Sequence, residues 1–110
     1  MPHATQYRQG DVLLVASDDL PPRARFLEPT RDRVILAHGE TTGHAHGMVA
    51  ERVRFFREDE TGRGFIQVHG PGPVALQHEE HAAILVEPGL YEVRHQREYR
   101  PRAQTGRVAD

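Results

Sequence analysis

With 110 residues and a formal net charge of −2, the chain is the size of a single domain and lacks the basic excess of a dedicated nucleic-acid binder. It contains no Cys and no Lys, and Ser17 is its single serine. Those absences exclude disulfides, thiolate nucleophiles, iron–sulfur clusters, Cys-ligated zinc, Schiff-base lysines and phosphate-loop lysines. Ser17 lies between Ala16 and Asp18, without the glycines of a nucleophile elbow. What remains for chemistry is eight histidines and sixteen carboxylate side chains.

The longest uninterrupted apolar runs, 12–16 and 82–86, have five residues each, against about twenty for a membrane-spanning helix. The first eleven residues have no apolar core, so no secretory signal is expected there and the expected location is cytoplasmic.

Gly10-Asp11 opens the apolar run 12–16, a strand by length and composition. Segment 18–33 holds Pro21, Pro22 and Pro29 and shows no sustained period, so it is expected to be a long surface loop able to cover a site. A second strand is expected at 34–37. A polar turn at 39–43 then leads into 44–50. Segments 53–57 and 64–69 flank the polar stretch 58–63 as a β-hairpin, with Val53 and Phe55 on one face. Gly70-Pro71-Gly72-Pro73 is a turn that no helix crosses. Strands at 74–77 and 82–86 bracket His78-Glu79-Glu80-His81. Pro88-Gly89 turns into a long strand at 90–99, where Tyr91, Val93, His95, Arg97 and Tyr99 share one face. No stretch has a 3.6-residue period. The expectation is one all-β domain over 1–110, a small β-barrel or β-roll, with no helix longer than about two turns.

His44-Ala45-His46 is the most informative tripeptide. Residues i and i+2 of a strand face the same side, so both imidazoles can converge on one ion, and Gly43 and Gly47 remove side chains that would crowd it. His78 and His81 would face opposite sides of a continuous strand but can converge in a turn or bulge. One of them is then a third ligand, and Glu79 or Glu80 is a ligand or a group that orients one. The plainer readings are a solvated strand edge for His44 and His46, and a charged hairpin tip for 78–81. His3 is expected to be solvated, and His95 to be hydrogen-bonded in the core or at its rim.

Segment 39–51, which carries His44, His46 and Glu51, followed by Gly70-Pro71-Gly72-Pro73 and His78, resembles the two motifs of the cupin superfamily. That resemblance implies a small β-barrel in which His44, His46, Glu51 and His78 hold Zn, Fe, Mn or Ni. His81 is a further candidate ligand. Four segments also look like a group of small uncharacterised bacterial proteins: Gln9-Gly10-Asp11-Val12-Leu13-Leu14, Gly39-Glu40-Thr41-Thr42-Gly43-His44-Ala45-His46, His78-Glu79-Glu80-His81, and 89–99. This implies a shared fold without an assigned activity.

The arginine-dense segment 96–102 reads as an anion contact, a protein interface or simply a solvated strand end. Three functions follow from the whole reading. The first is a metal-binding β-barrel with a histidine-rich site that acts on a small molecule. The second is a non-catalytic accessory module of a larger bacterial system, with a protein partner or a second copy of the chain. The third is a pH-responsive or anion-binding surface built on the eight histidines. Neither nucleic acid nor membrane is an expected partner.

Overall fold

Antiparallel pairing and period-two burial organise the chain. The computed structural model describes residues 6–38 and 43–95. Among them are ten strands and no helix: β1 (Gln6–Gln9), β2 (Val12–Ala16), β3 (Ala24–Leu27), β4 (Arg33–His38), β5 (Ala45–Val49), β6 (Val53–Glu58), β7 (Gly64–Val68), β8 (Val74–Leu76), β9 (Ile84–Val86) and β10 (Gly89–His95). No helix of the described residues is long and apolar enough to cross a membrane.

One sheet has six strands in the order β1-β2-β10-β7-β6-β3. The second layer is made of two hairpins, β4-β5 and β8-β9. Gly47 and Gln77 join them, each N–H donating to the other's carbonyl at 2.9 Å. A single apolar core lies between the layers. The six-stranded sheet contributes Val12, Leu14, Phe55, Ile66 and Tyr91, and the hairpins contribute Leu36, Met48, Leu76 and Val86. The architecture is therefore all-β, and the described strands form no closed barrel.

The expected 53–57/64–69 hairpin is β6-β7, in register Val53↔Val68 to Arg57↔Gly64. Val53 and Phe55 are both buried, as the shared face requires. Segment 18–33 differs from the expected loop because it contains β3, which pairs with β6 from Ala24↔Glu58 to Leu27↔Phe55. β3 is an edge strand whose residues are all exposed or half-buried, so backbone pairing holds it and no apolar alternation marks it. β1 escapes the sequence reading for the same reason: Gln9 is its one buried residue. Of the long C-terminal strand, 89–95 is described. Arg97, Tyr99 and the arginine-dense segment 96–102 lie outside the described residues, as does His3.

Two local irregularities place the site. The β4-β5 register slips between Ile35↔Gly47 and Ala37↔His46, which leaves Leu36 as an extra residue opposite the histidine strand. Arg52 donates to the carbonyls of His69, Pro71 and Gly72 and so holds the Gly-Pro turn that precedes β8.

Leu14 is fully buried between the layers. Leu14→Ala is expected to lower stability by about 2–5 kcal/mol, read as a fall in the urea midpoint at unchanged slope. Leu85→Ala, on a side chain 62% exposed, should stay within about 0.5 kcal/mol of the parent.

Candidate metal centre

The site begins at the turn between β1 and β2. Gln9 pairs with Val12, so Gly10-Asp11 is a two-residue hairpin loop, and Gly10 has the positive φ of 58° that such a turn asks of its first residue. All three residues of Gln9-Gly10-Asp11 meet a histidine. The Gln9 amide is buried, and its Nε2 donates to Leu76 O at 2.8 Å and to Ala82 O at 2.9 Å. Its Oε1 is 2.8 Å from His46 Nδ1. With both amide hydrogens committed to carbonyls, Oε1 can only accept, so His46 Nδ1 carries the proton. The lone pair of the neutral ring is then on Nε2, which faces Asp11 Oδ1 at 3.5 Å. His81 lies against Gly10, where a Cβ would come within 2.6 Å of its Nε2.

His46 is 1% exposed. Burial pushes its pKa down, the neighbouring His78 adds to that, and Asp11 opposes it. His46 is therefore a neutral imidazole with a defined tautomer.

His44 lies just before β5, and His78 opens the loop between β8 and β9. His78 is the hub. Its ring centre is 5.7 Å from that of His44, 4.4 Å from that of His46 and 4.6 Å from that of His81. Imidazoles bound to one ion through bonds of about 2.0–2.1 Å have ring centres about 4.5–5.3 Å apart. The His78–His81 spacing falls in that range, the His46 spacing is just below it and the His44 spacing just above it. His81, further along the same loop, stacks towards His46 at 5.9 Å.

Glu79 is exposed, and its Oε1 accepts the Ala45 N–H at 2.9 Å. That hydrogen bond is the main reason its carboxyl is held below the usual carboxylate range. Ligand atoms of His44, His78 and Glu79 all lie within 4.8 Å of one another. Glu80 lies beside them, with Oε2 3.7 Å from His44 Nδ1. The loop closes on itself, because His78 Nδ1 accepts the Glu80 N–H at 3.0 Å. His78 and Glu79 also line an open cleft of about 300 Å³, together with Arg33 and Gln77.

Other sequence candidates fall elsewhere. Glu51 is exposed in the turn after β5 and belongs to no such group. The strand advances about 3.3 Å per residue, which carries residue 51 past the end opposite His44. His95 is exposed at the end of β10 rather than in the core or at its rim. Gly47 leaves no space for an ion, because the Arg33 guanidinium occupies it. The residues that sequence reasoning missed are Gln9, Asp11 and Arg33. The signal for the first two was present in the Gln9-Gly10-Asp11 motif, where a glutamine followed by a turn glycine precedes an apolar strand.

Two outcomes follow from this geometry. Gln9→Leu leaves Leu76 O, Ala82 O and His46 Nδ1–H without their partner and should cost about 3 kcal/mol, measured by urea denaturation. In metal-free protein kept in EDTA, stability should fall as the pH drops below about 6.5, where unfolded His46 takes up a proton that the folded state resists. Above that pH the same group has no effect, and His46→Gln should flatten the acid limb of a urea-midpoint-against-pH curve.

No curated protein and no solved structure matches the chain. A family model described as a domain of unknown function, DUF8820, matches residues 8–96, a span that contains every residue of the cluster from Gln9 to His81. The chain belongs to the DUF8820 family.

Proposed function

We propose that this protein binds a divalent transition metal (Zn, Fe, Mn or Ni) at the histidine cluster and uses it on a small molecule that enters the adjoining cleft. The observation that carries this reading is the convergence of His44, His78 and Glu79 from two separate segments, with ligand atoms within 4.8 Å of one another. Tetrahedral bonds of about 2.0–2.2 Å need ligand atoms about 3.3 Å apart, so rotation of these partly exposed side chains closes the remaining distance. The donor set is nitrogen and oxygen without sulfur, which suits all four metals. The resemblance of 39–51 and His78 to the cupin motifs supports a metal site in a barrel-like fold, with Glu79 taking the carboxylate role that the resemblance gives to Glu51.

The surroundings prepare the ligands. Ala45 N–H fixes one oxygen of Glu79. Gln9 fixes the tautomer of His46 and leaves its lone pair on Nε2, on the side of Asp11, with the His78 ring centre 4.4 Å from its own. His78 must give something up. Ligation through Nδ1 displaces the Glu80 N–H, whereas ligation through Nε2 moves the proton that nitrogen carries in the neutral ring. By either route metal uptake costs the Glu80 N–H hydrogen bond, because a proton moved off Nε2 goes to Nδ1. A bound ion would act as a Lewis acid towards an oxygen donor in the cleft.

Elemental analysis of untagged protein, followed by titration of the EDTA-treated protein with Zn²⁺, Fe²⁺, Mn²⁺ and Ni²⁺, tests the reading. One equivalent of metal is expected. His44→Ala and His78→Ala should each remove most of it, since two ligands rarely hold an ion, and Glu51→Ala and His3→Ala should remove none. A loss in His46→Ala or His81→Ala equal to that in His78→Ala would extend the ligand set inward. Protein that stays metal-free would overturn the proposal in favour of the interaction module.

A further inference from the structure

Arg33 begins β4, but its side chain crosses β5. A Cβ at Gly47 would lie 2.2 Å from Nη2, 2.7 Å from Cζ and 3.0 Å from Nε, so the guanidinium rests against the glycine backbone. Cross-strand register explains the reach. Arg33 pairs with Val49, and Gly47 is the diagonal neighbour two residues along on the same face. On its other side Gly47 is bonded to Gln77, which lines the same cleft. Arg23, Arg25, Arg63 and Arg94 each pair with a surface carboxylate. Arg33 is half-buried, and among the described residues it pairs with none. It lines an open cleft of about 300 Å³ whose other walls are Gln77, His78 and Glu79.

The charged groups of that cleft are placed on facing walls. One wall is a cation in a fork geometry suited to a carboxylate, and the other is formed by two of the proposed metal ligands. A volume of about 300 Å³ is the room of roughly ten waters, at the small end of ligand pockets. We propose that the cleft takes a small organic acid with an oxygen donor on the carbon next to its carboxylate. The carboxylate contacts Arg33 and the neighbouring oxygen faces the His78–Glu79 wall. The orientation of that oxygen rests on the metal reading; the Arg33 contact does not. Without an ion, the negative charge of Glu79 opposes an anion in the same cleft. With an ion, the opposition is removed and a second attachment point appears.

The test uses lactate and lactamide, which have the same size and hydroxyl but differ in charge, with alanine as a third probe. Each is titrated into ¹⁵N-labelled full-length protein, in EDTA and with one equivalent of Zn²⁺, while the Gly47 and Gln77 amides are followed by NMR. Lactate should shift both amides in EDTA and bind about tenfold more tightly with Zn²⁺, whereas lactamide should shift neither in EDTA. Arg33→Gln should weaken lactate by about tenfold or more without changing Zn²⁺ affinity. Gly47→Ala should do the same, because its new Cβ needs only the flexible end of the Arg33 side chain to move, which keeps the fold and displaces the guanidinium.

Equal binding of lactate and lactamide, or lactate affinity unchanged in both variants, would overturn the proposal. Alanine binding more tightly than lactate in EDTA would also overturn it, because Glu79 would then be pairing with an ammonium group. Zn²⁺ uptake is scored separately. Protein that takes up no Zn²⁺ but binds lactate through Arg33 keeps the anion contact and loses the ion. Protein that takes up Zn²⁺ with no Arg33-dependent lactate binding loses the organic-acid proposal alone.

Discussion

One buried amide holds the site together. Gln9 is the only polar residue besides His46 that is fully enclosed among the described residues, and its side chain spends every hydrogen-bonding group on a different element. Leu76 O belongs to β8, Ala82 O precedes β9, and His46 sits in β5. A buried amide missing any of these partners carries an unmatched desolvation cost, so β1, β5 and the β8-β9 hairpin must be in place together. The histidine cluster is therefore assembled by the closing of the N-terminal hairpin onto the second layer. Neither layer builds the cluster alone.

The cluster is graded from inside to outside. His46 at its floor is desolvated, neutral and fixed by an amide. His78 and His44 are half-buried at the next level, and Glu79, Glu80 and His81 meet solvent. Charge increases outward along the same path. That is the economical arrangement in a protein interior, because the neutral imidazole is the cheapest nitrogen ligand to bury and a carboxylate the most expensive. It also means that a cation entering from the cleft meets charged oxygen before neutral nitrogen.

Strand-forming segments with an apolar face were legible in the sequence, as was the gathering of His44, His46 and His78. In both cases the signal is local: alternation along a strand, or two histidines at i and i+2 followed by a third in a polar interruption between apolar runs. β1 and β3 were not legible, because an edge strand is held by backbone pairing and its side chains need no pattern. Gln9 and Arg33 were hidden for a different reason. Gln9 acts across 37 residues to reach His46 and 67 to reach Leu76. Arg33 is recognised as a cleft residue only once Gly47 is its diagonal neighbour, and nothing in the order of residues brings those two together before the strand register is known. Glu51 lies in the turn after β5, and Glu79 is the carboxylate grouped with His44 and His78.

The outer end of the six-stranded sheet has consequences for how molecules behave in a crowded solution. Among the described residues β3 has no partner on its outer side, and Phe26 on it is 44% exposed and rests edge-on against Phe56 at 5.9 Å. Such an edge is a template for a second chain. Arg25, two-pronged on Asp59, and Arg23 on Glu60 set alternating charges along it. These ion pairs are too exposed to add much to folding free energy. Their effect is colloidal: two molecules meeting edge to edge must first strip water from guanidinium and carboxylate groups, which opposes that encounter. Salt screens such charges over a distance of about 8–10 Å, so this protection is a property of the solvent as much as of the chain.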